Sequence, residues 1–155
     1  MNTMTIVMPI YNGASTLQQV FDALEQQQDK ERVEEIICID DRSTDASAQM
    51  IDDFSRSSAY KVRHATHTKS CGLAASYNEG MHLSTTSLVT LMHQDIVLLD
   101  TQSFSKIMLP HNDKTVVVSY PTILHPKFVW VTYNFWQRCY FSRLVDTEVP
   151  KTLSQ

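Results

Sequence analysis

Residues 5–13 read TIVMPIYNG, an apolar run that ends at a tyrosine, an asparagine and a glycine. A short apolar run closed by loop-forming residues is typical of a buried β-strand. The spacing then changes, because Leu17, Val20, Phe21 and Leu24 fall on one face of a helix. We predict that this helix runs to about residue 28, and Ser15 and Gln18 have the spacing of a capping box at its start.

The same alternation of strand and helix continues along the chain. Further strands are predicted at residues 36–39, 60–65, 87–92 and 115–120, and further helices at 46–54, 73–83 and 104–108. Repeated β-α units predict an α/β fold with a mainly parallel sheet and helices on both faces. Ligands of such sheets bind at the carboxyl ends of the strands. Polar clusters follow three of the strands, at Tyr11-Asn12, Asp40-Asp41 and His93-Gln94-Asp95, so we expect one shared site.

Composition narrows the function classes. A chain of 155 residues is large enough for one domain with a real core. Its formal charge of −4 argues against a general nucleic-acid binder, but an anionic small ligand remains open because a metal ion or a few donors can neutralise a diphosphate. The three cysteines form no C-x-x-C pair, so neither a zinc site nor a disulfide framework is indicated, and Cys38 is predicted to be buried. Cysteine usage favours the cytoplasm, and no apolar run has the length of a membrane span.

Four segments carry a resemblance when they are taken in order. They are Pro9-Ile10-Tyr11-Asn12, the D-D-x-S-x-D segment Asp40–Asp45, the glycine turn and helix Gly72–Gly80, and His93-Gln94-Asp95-Ile96 in the place of a D-x-D segment. Together they resemble glycosyltransferase family 2, over roughly residues 4–100. The resemblance implies a Rossmann-like GT-A nucleotide-binding domain.

The first two segments are the nucleoside site that this resemblance implies. Tyr11 is expected to stack on the base, with the backbone around Pro9 and Asn12 lining the pocket. Asp41 is expected to accept a hydrogen bond from a ring N–H, with Asp40 nearby. An aromatic face grips any base, whereas a carboxylate favours bases such as uracil or guanine that offer an N–H. The alternative is an ordinary turn and a helix-capping loop.

The later segments are where the resemblance places the diphosphate and its metal. Asp95 is expected to bind Mn²⁺ or Mg²⁺. His93, which replaces an aspartate, adds a ligand, contacts the ribose or is only structural. The turn at Gly72 and Asn78 are expected to face the phosphates, although Tyr77 replaces a basic residue of the family. Lys69 and Arg42 either face the diphosphate or are solvated.

The resemblance also implies an activity and a layout. Residues 1–120 are expected to bind a UDP- or GDP-sugar, and residues 121–155 to begin an incomplete acceptor-side region. The expected reaction is metal-dependent sugar transfer, with inversion, to a saccharide, lipid or protein hydroxyl in polysaccharide or cell-wall biosynthesis. The expected location is the cytoplasm or the inner face of the membrane. No carboxylate beyond Asp95 matches the family's general base: Asp113, Asp146 and Glu148 lie in no matching segment, and Asp146 and Glu148 are interpreted as loop residues.

Two further expectations concern the end of the chain and the competing functions. The aromatic residues of 128–143 either begin an acceptor groove or form an exposed patch that favours a homodimer. The main alternative function is a truncated, non-catalytic remnant that binds nucleotide sugar. A nicotinamide-cofactor enzyme is disfavoured, because no G-x-G-x-x-G segment follows the first strand.

Overall fold

The computed structural model describes residues 3–119 and 121, together with the backbone of residues 125–126 and 145–146. The chain divides into two compact units, Met1–Leu109 and Pro110–Gln155. The predicted acceptor groove and dimer surface at 128–143, the side chain of Asp146, Glu148 and Cys139 lie outside the described residues.

The first unit contains four strands and four helices in alternation. The strands are β1 (Met4–Ile10), β2 (Val33–Asp40), β3 (Val62–Thr66) and β4 (Leu88–Leu91). The helices are α1 (Leu17–Glu25), α2 (Ser47–Ser57), α3 (Leu73–Leu83) and α4 (Ser103–Met108). Short 3₁₀ turns lie at Lys30–Arg32 and Leu109–Asn112. In the second unit β5 (His125–Pro126) pairs in parallel with β6 (Val145–Asp146).

The four strands of the first unit form one parallel sheet in the order β3-β2-β1-β4. The chain therefore moves outward from β1 to β3 on one side and returns to β4 on the other. Strand order reverses between β1 and β4, which is where a ligand crevice forms in such sheets. The predicted α/β fold with a parallel sheet is confirmed.

Helices α1 and α2 cover one face of the sheet. Alternate residues of β1, from Met4 to Ile10, pack with the apolar faces of both helices, because side chains along a strand point to opposite faces in turn. Phe21 of α1 stacks on Phe54 of α2 with ring centroids 4.0 Å apart. All seven residues of β1 are buried, so this strand is covered on both sides.

Helix α3 covers the opposite face and approaches β1 through a glycine. A Cβ atom added to Gly80 would lie 2.1 Å from Val7 Cγ1, so only glycine permits this helix-to-sheet distance. The helix begins directly after Gly72, whose φ of 86° lies in the left-handed region that glycine adopts without strain. The predicted glycine turn and helix are both present.

The start and end of α1 differ from expectation. The Ser15–Gln18 capping box does not form: the N-cap residue is Thr16, and its hydroxyl donates to the carbonyl oxygens of Gly13 (3.2 Å) and Gln94 (3.0 Å). The helix ends at Glu25, three residues early. Gln28 N–H donates to Thr101 O at 2.7 Å, so a contact with a distant loop replaces the last helical turn.

The predicted strand at 115–120 is wrong over its described residues, 115–119. Asp113 accepts hydrogen bonds from the N–H and hydroxyl of Thr115, and its own carbonyl accepts from Val116 N–H, which makes a turn. Val117 and Val118 are 85% and 78% exposed. Apolar composition alone misled the prediction, because a β-rich run needs a partner strand or a core to become a strand.

Two smaller expectations concern cysteine and the membrane. Cys38 is fully buried in β2, as predicted, and burial raises the pKa of its thiol to about 12. None of the helices in the described part of the chain has both the length and the apolar character needed to cross a membrane.

Candidate functional site

A cavity of about 330 Å³ lies at the carboxyl ends of β1, β2 and β4. Its lining comprises Pro9, Ile10, Tyr11, Asp41, Ser70, Gly72, Leu73, Ser76, His93 and Gln94. Five of these are predicted site residues: Pro9, Tyr11, Asp41, Gly72 and His93. The polar ends of three strands thus meet around one cavity.

The other four predicted site residues lie outside that lining, among the residues that the structure describes. Asp40 is buried at the end of β2, where Oδ1 accepts the N–H of Ser43 at 2.9 Å. Asn78 is exposed on α3. Asn12 and Asp95 lie on loops next to lining residues, and their contacts are described below.

The loop after β1 is held by its neighbours on one side of the cavity. Three backbone N–H groups donate to side chains of the loop after β2 and of the first residue of α2: Asn12 to Ser43 Oγ (3.0 Å), Gly13 to Ser47 Oγ (2.8 Å) and Ala14 to Asp45 Oδ2 (3.0 Å). Asn12 has a φ of 49°, and its Oδ1 accepts the N–H of Thr44 at 2.8 Å. Its side chain therefore joins the two loops, and Tyr11, 54% exposed, is left facing outward at the cavity.

Gln94 contacts the same loop from the other side. Its Oε1 accepts the N–H of Tyr11 at 2.7 Å, and its Nε2 donates to Tyr11 O at 3.2 Å. This side chain therefore satisfies both backbone polar groups of one residue, as a neighbouring strand would. The loops after β1 and β4 are joined across the point where strand order reverses.

Asp41 is the most densely hydrogen-bonded carboxylate of the site. Its two oxygens accept four hydrogen bonds from the loop before α3: His67 Nδ1 (2.6 Å), Cys71 N–H (2.7 Å), Ser70 Oγ (2.8 Å) and Gly72 N–H (2.9 Å). Burial alone would raise the pKa of Asp41, but these donors hold it well below its ordinary value. A ring N–H of a base would have to share or replace one of these donors.

His67 bridges two carboxylates. Its Nδ1 lies 2.6 Å from Asp41 Oδ1 and its Nε2 lies 2.6 Å from Glu79 Oε2 on α3. Because ionised carboxylates only accept hydrogen bonds, both ring nitrogens must donate, which requires the imidazolium form. The hydrogen bond to Asp41 leads the effects that raise the pKa of His67, against the opposing effect of burial, and the bond to Glu79 adds to it.

Asp41, His67 and Cys71 bring three potential metal-binding atoms within 4.8 Å of one another. The shortest of these approaches is the 2.6 Å hydrogen bond between Asp41 and His67. The thiol of Cys71 donates to Lys69 O at 3.3 Å. Hydrogen bonding within the loop accounts for this cluster.

The loop after β4 is far more open. Asp95 Oδ1 lies 2.8 Å from His93 Nδ1, and the two side chains are 55% and 45% exposed. Burial and the negative charge of Asp95 raise the pKa of Tyr77 on α3. Position 77, where the resemblance implies a basic residue, is therefore taken by a phenol near Asp95. A carboxylate and an imidazole that reach solvent together form a donor pair suited to Mn²⁺.

The remaining candidates, Arg42 and Lys69, are outside the lining of the cavity, next in sequence to the lining residues Asp41 and Ser70. Arg42 adopts a left-handed φ of 64° and, like Lys69, is exposed. The N–H groups of Cys71 and Gly72 are already engaged by Asp41, so at least these two backbone donors of the glycine turn do not point to a ligand.

Sequence reasoning missed His67, Ser70, Ser76 and the role of Gln94. His67 directly follows β3, so the rule that singled out the ends of three strands also applied to it. Gln94 lay between two residues chosen for their chemistry, and only coordinates show that its amide meets the Tyr11 backbone. Ser70 and Ser76 carry no pattern that distinguishes them.

Comparison with known sequences gives one family. The sequence model described as "Glycosyl transferase family 2" matches residues 5–153. A comparison with curated proteins found no match.

Comparison with solved structures gives similar folds at low identity. S. aureus TarS 1–349 in complex with UDP has a TM-score of 0.62 and 16% identity, covering 71% of this chain and 33% of that one. The same protein with UDP-GlcNAc has a TM-score of 0.62 and 16% identity, with coverage of 71% and 32%. The mannosyltransferase PcManGT from Pyrobaculum calidifontis, in complex with GDP-Man and Mn²⁺, has a TM-score of 0.64 and 17% identity, with coverage of 79% and 34%. The chain thus spans about a third of the length of these structures.

Proposed function

The chain belongs to glycosyltransferase family 2, and from this premise we propose that it binds a nucleoside diphosphate sugar and takes part in transferring the sugar to an acceptor hydroxyl, with inversion and with a divalent metal. The observation that carries the proposal is the single cavity that gathers Tyr11, Asp41 and His93 from three strand ends. The GT-A fold, which this chain shares with the structures compared above, supports it.

The nucleoside is proposed to bind between Tyr11 and Asp41. Tyr11 is an exposed aromatic side chain on a rigid loop, which suits stacking on a base. Asp41 remains ionised because its pKa is lowered, so it can accept an N–H from uracil or guanine while keeping most of its own donors. Both TarS and PcManGT were solved with such nucleotides, UDP and GDP-Man, which favours a UDP- or GDP-sugar here.

The diphosphate is proposed to lie near Asp95 and His93. Their donor set fits a divalent cation, because a carboxylate and an imidazole stand 2.8 Å apart and reach solvent. When bound, such an ion supplies charge neutralisation to the departing nucleoside diphosphate. Asp95 and His93 are proposed to orient the donor at its diphosphate end, and Tyr11 and Asp41 to hold its nucleoside end. Gly72 and Ser76 also line the cavity.

The residues named above do not include a general base for the reaction. Between residues 101 and 119 the sequence has one carboxylate, Asp113, and it accepts the hydrogen bonds that close a turn. Donor binding is therefore the part of the reaction that can be assigned to named side chains of this chain. The acceptor, its class and the cytoplasmic location stay predictions.

Calorimetry with UDP and GDP, in the presence and absence of Mn²⁺, tests the proposal. Asp95→Ala is expected to abolish the Mn²⁺-dependent gain in nucleotide affinity, a loss of roughly 10–100-fold, because one of few charged ligands is removed. Asp22→Ala, on the exposed face of α1, is the matched control and is expected to bind like the wild type. Failure of the wild type to bind either nucleotide would refute the proposal.

A second candidate is a binding remnant without turnover. It is favoured by one observation, that the only carboxylate of residues 101–119 is committed to a turn. Donor hydrolysis or transfer measured on the 155-residue chain separates the two. Turnover that disappears in Asp95→Ala would exclude the remnant, whereas binding without turnover would favour it.

A further inference from the structure

Gln94 lies where the two ends of the proposed donor site meet. Its carboxamide exchanges two hydrogen bonds with the backbone of Tyr11, at 2.7 and 3.2 Å, and its backbone carbonyl accepts the hydroxyl of Thr16 at 3.0 Å. The residues on either side of it are His93 and Asp95. One residue thus fixes the main chain of the stacking aromatic and forms the middle of the proposed metal-binding segment.

Gly13 provides the space that this contact needs. A Cβ atom at Gly13 would lie 2.9 Å from Gln94 Oε1 and 3.0 Å from Gln94 Cδ. Such distances are below normal van der Waals contact, so a side chain at 13 would push the carboxamide away from Tyr11. Gly13 is not among the residues with positive φ, so its backbone conformation does not call for glycine, and the close approach of Gln94 is the constraint that remains.

We infer that Gln94 is a positioning residue for the donor: it holds Tyr11, at the nucleoside end, in fixed register with Asp95 and His93, at the diphosphate end. This inference rests on the proposed function. The 83-residue separation between Tyr11 and Gln94 means that no local chain geometry maintains that register. Without the carboxamide, the loop after β1 keeps its hydrogen bonds to residues 43–47, but its described hydrogen bonds to the proposed metal-binding loop are reduced to that of Thr16.

The first consequence concerns the cooperation between metal and nucleotide. If the two ends are held in register, an ion bound at Asp95 helps a nucleotide stacked on Tyr11, and the gain in affinity with Mn²⁺ measures that coupling. Gln94→Ala is expected to lower nucleotide affinity in the presence of Mn²⁺ by roughly ten-fold, the value of two lost hydrogen bonds of moderate strength. In the absence of Mn²⁺ the loss is expected to be smaller, so the Mn²⁺ gain shrinks.

The second consequence is a specific pattern of non-additivity. Gly13→Ala is expected to reproduce the roughly ten-fold loss of Gln94→Ala, because both remove the same contact. The double variant Gly13→Ala/Gln94→Ala is expected to bind no worse than Gln94→Ala alone, since the added methyl group then has nothing to displace. Gln49→Ala, an exposed glutamine of α2, is the matched control and is expected to equal the wild type.

A readout without ligand completes the test. The backbone N–H of Tyr11 is bonded to Gln94 Oε1, so its hydrogen exchange is expected to be faster in Gln94→Ala and in Gly13→Ala than in the wild type.

The outcomes separate the two ideas. If the wild type binds UDP or GDP, any one of three results would overturn the inference alone. These results are an equal loss of nucleotide affinity with and without Mn²⁺, additive effects of the two substitutions, and unchanged hydrogen exchange at Tyr11. Absence of nucleotide binding by the wild type would overturn the proposed function and the inference with it. The expected result is a reduced Mn²⁺ gain in both single variants, no further loss in the double variant and faster Tyr11 exchange.

Discussion

Asp41 and Asp95 each follow a strand of the same parallel sheet, but their surroundings are opposite. Asp41 is 7% exposed and accepts four hydrogen bonds from its own chain. Asp95 is 55% exposed and has one close polar partner among the described residues, His93. The proposed nucleoside end of the site is therefore organised by hydrogen bonds within the chain, whereas the side chains of the proposed metal end are open to solvent.

This difference separates two roles that one residue type plays at strand ends. A buried carboxylate surrounded by donors organises a loop, and removing it leaves those donors without partners. An exposed carboxylate contributes little to the fold and keeps its charge for a ligand. Changes at the two residues should therefore affect different measurements, stability at Asp41 and binding at Asp95.

The largest effect on stability is expected from Asp41→Ala. Two backbone N–H groups and the His67 imidazolium would lose their acceptor, so the free energy of unfolding should fall by about 3 kcal/mol. Urea unfolding followed by far-UV circular dichroism measures it. The free energy of unfolding of Asp41→Asn, which keeps the shape and one acceptor oxygen, should lie between those of the wild type and Asp41→Ala. A loss below about 1 kcal/mol in Asp41→Ala would contradict the organising role.

Gly80→Ala should have the next largest effect. The new methyl group would meet Val7, so α3 must shift, and overpacking of this kind costs about 2 kcal/mol. Because α3 begins at the loop that donates hydrogen bonds to Asp41, the proposed nucleoside end should also loosen. Val7→Ala supplies the control: in that background, Gly80→Ala should cost less, since the 2.1 Å contact with Cγ1 is removed and only the Cβ atom of residue 7, at 3.2 Å, remains. Equal costs in both backgrounds would show that Val7 is not the obstacle.

The third largest effect on stability is expected for His67→Gln, and this effect should depend on pH. The folded pKa of His67 is raised above its ordinary value of 6.5, so its ion pairs stabilise the fold fully below about pH 6.5 and this contribution is lost as pH rises through the raised pKa. We expect His67→Gln to be less stable than the wild type by on the order of 1 kcal/mol at pH 6 and by less at pH 9. Unfolding at both pH values tests this, and a difference that grows with pH would reverse the assignment. Asp41 has the opposite pH dependence, because its pKa is lowered in the folded protein. Its contribution to stability is present above the ordinary pKa of an aspartate and is lost as pH falls towards the lowered pKa.

The smallest effects on stability are expected on the open side. Asp95→Ala and His93→Ala should each leave the free energy of unfolding within about 0.5 kcal/mol of the wild type, as exposed residues with few contacts do. The same urea experiments measure this. A cost comparable to that of Asp41→Ala would show that the loop after β4 is as tightly built as the loop before α3.

Most of the fold could be predicted from the sequence, because the apolar periodicity reports burial directly. The strand at 36–39 and the helix at 73–83 were predicted close to their observed bounds, and the polar residues after β1, β2 and β4 were correctly placed at one sheet edge. Periodicity could not show that the stretch at 115–119 lacks a partner strand, because pairing is a property of the whole sheet.

The site was predicted by residue type but not by contact. Asp41 was chosen as a ligand contact, and its engagement with residues 67–72 depends on a loop folding back over about 30 positions of sequence. Gln94 carries no reactive group, so chemistry alone gave no reason to select it. Long-range hydrogen bonds to the backbone leave no spacing pattern in a sequence, and they are what coordinates add.

The pairing of β1 with β4 ends with Val7 opposite Leu91 and with the N–H of Met92 donating to Val7 O at 2.9 Å, and two residues after Met92 the Gln94 side chain contacts the backbone of Tyr11. A side chain thus serves as one more rung of the ladder after the two strands have begun to separate. The gap between the loops after β1 and β4 is consequently spanned by one glutamine side chain, which makes residue 94 the spacer between them.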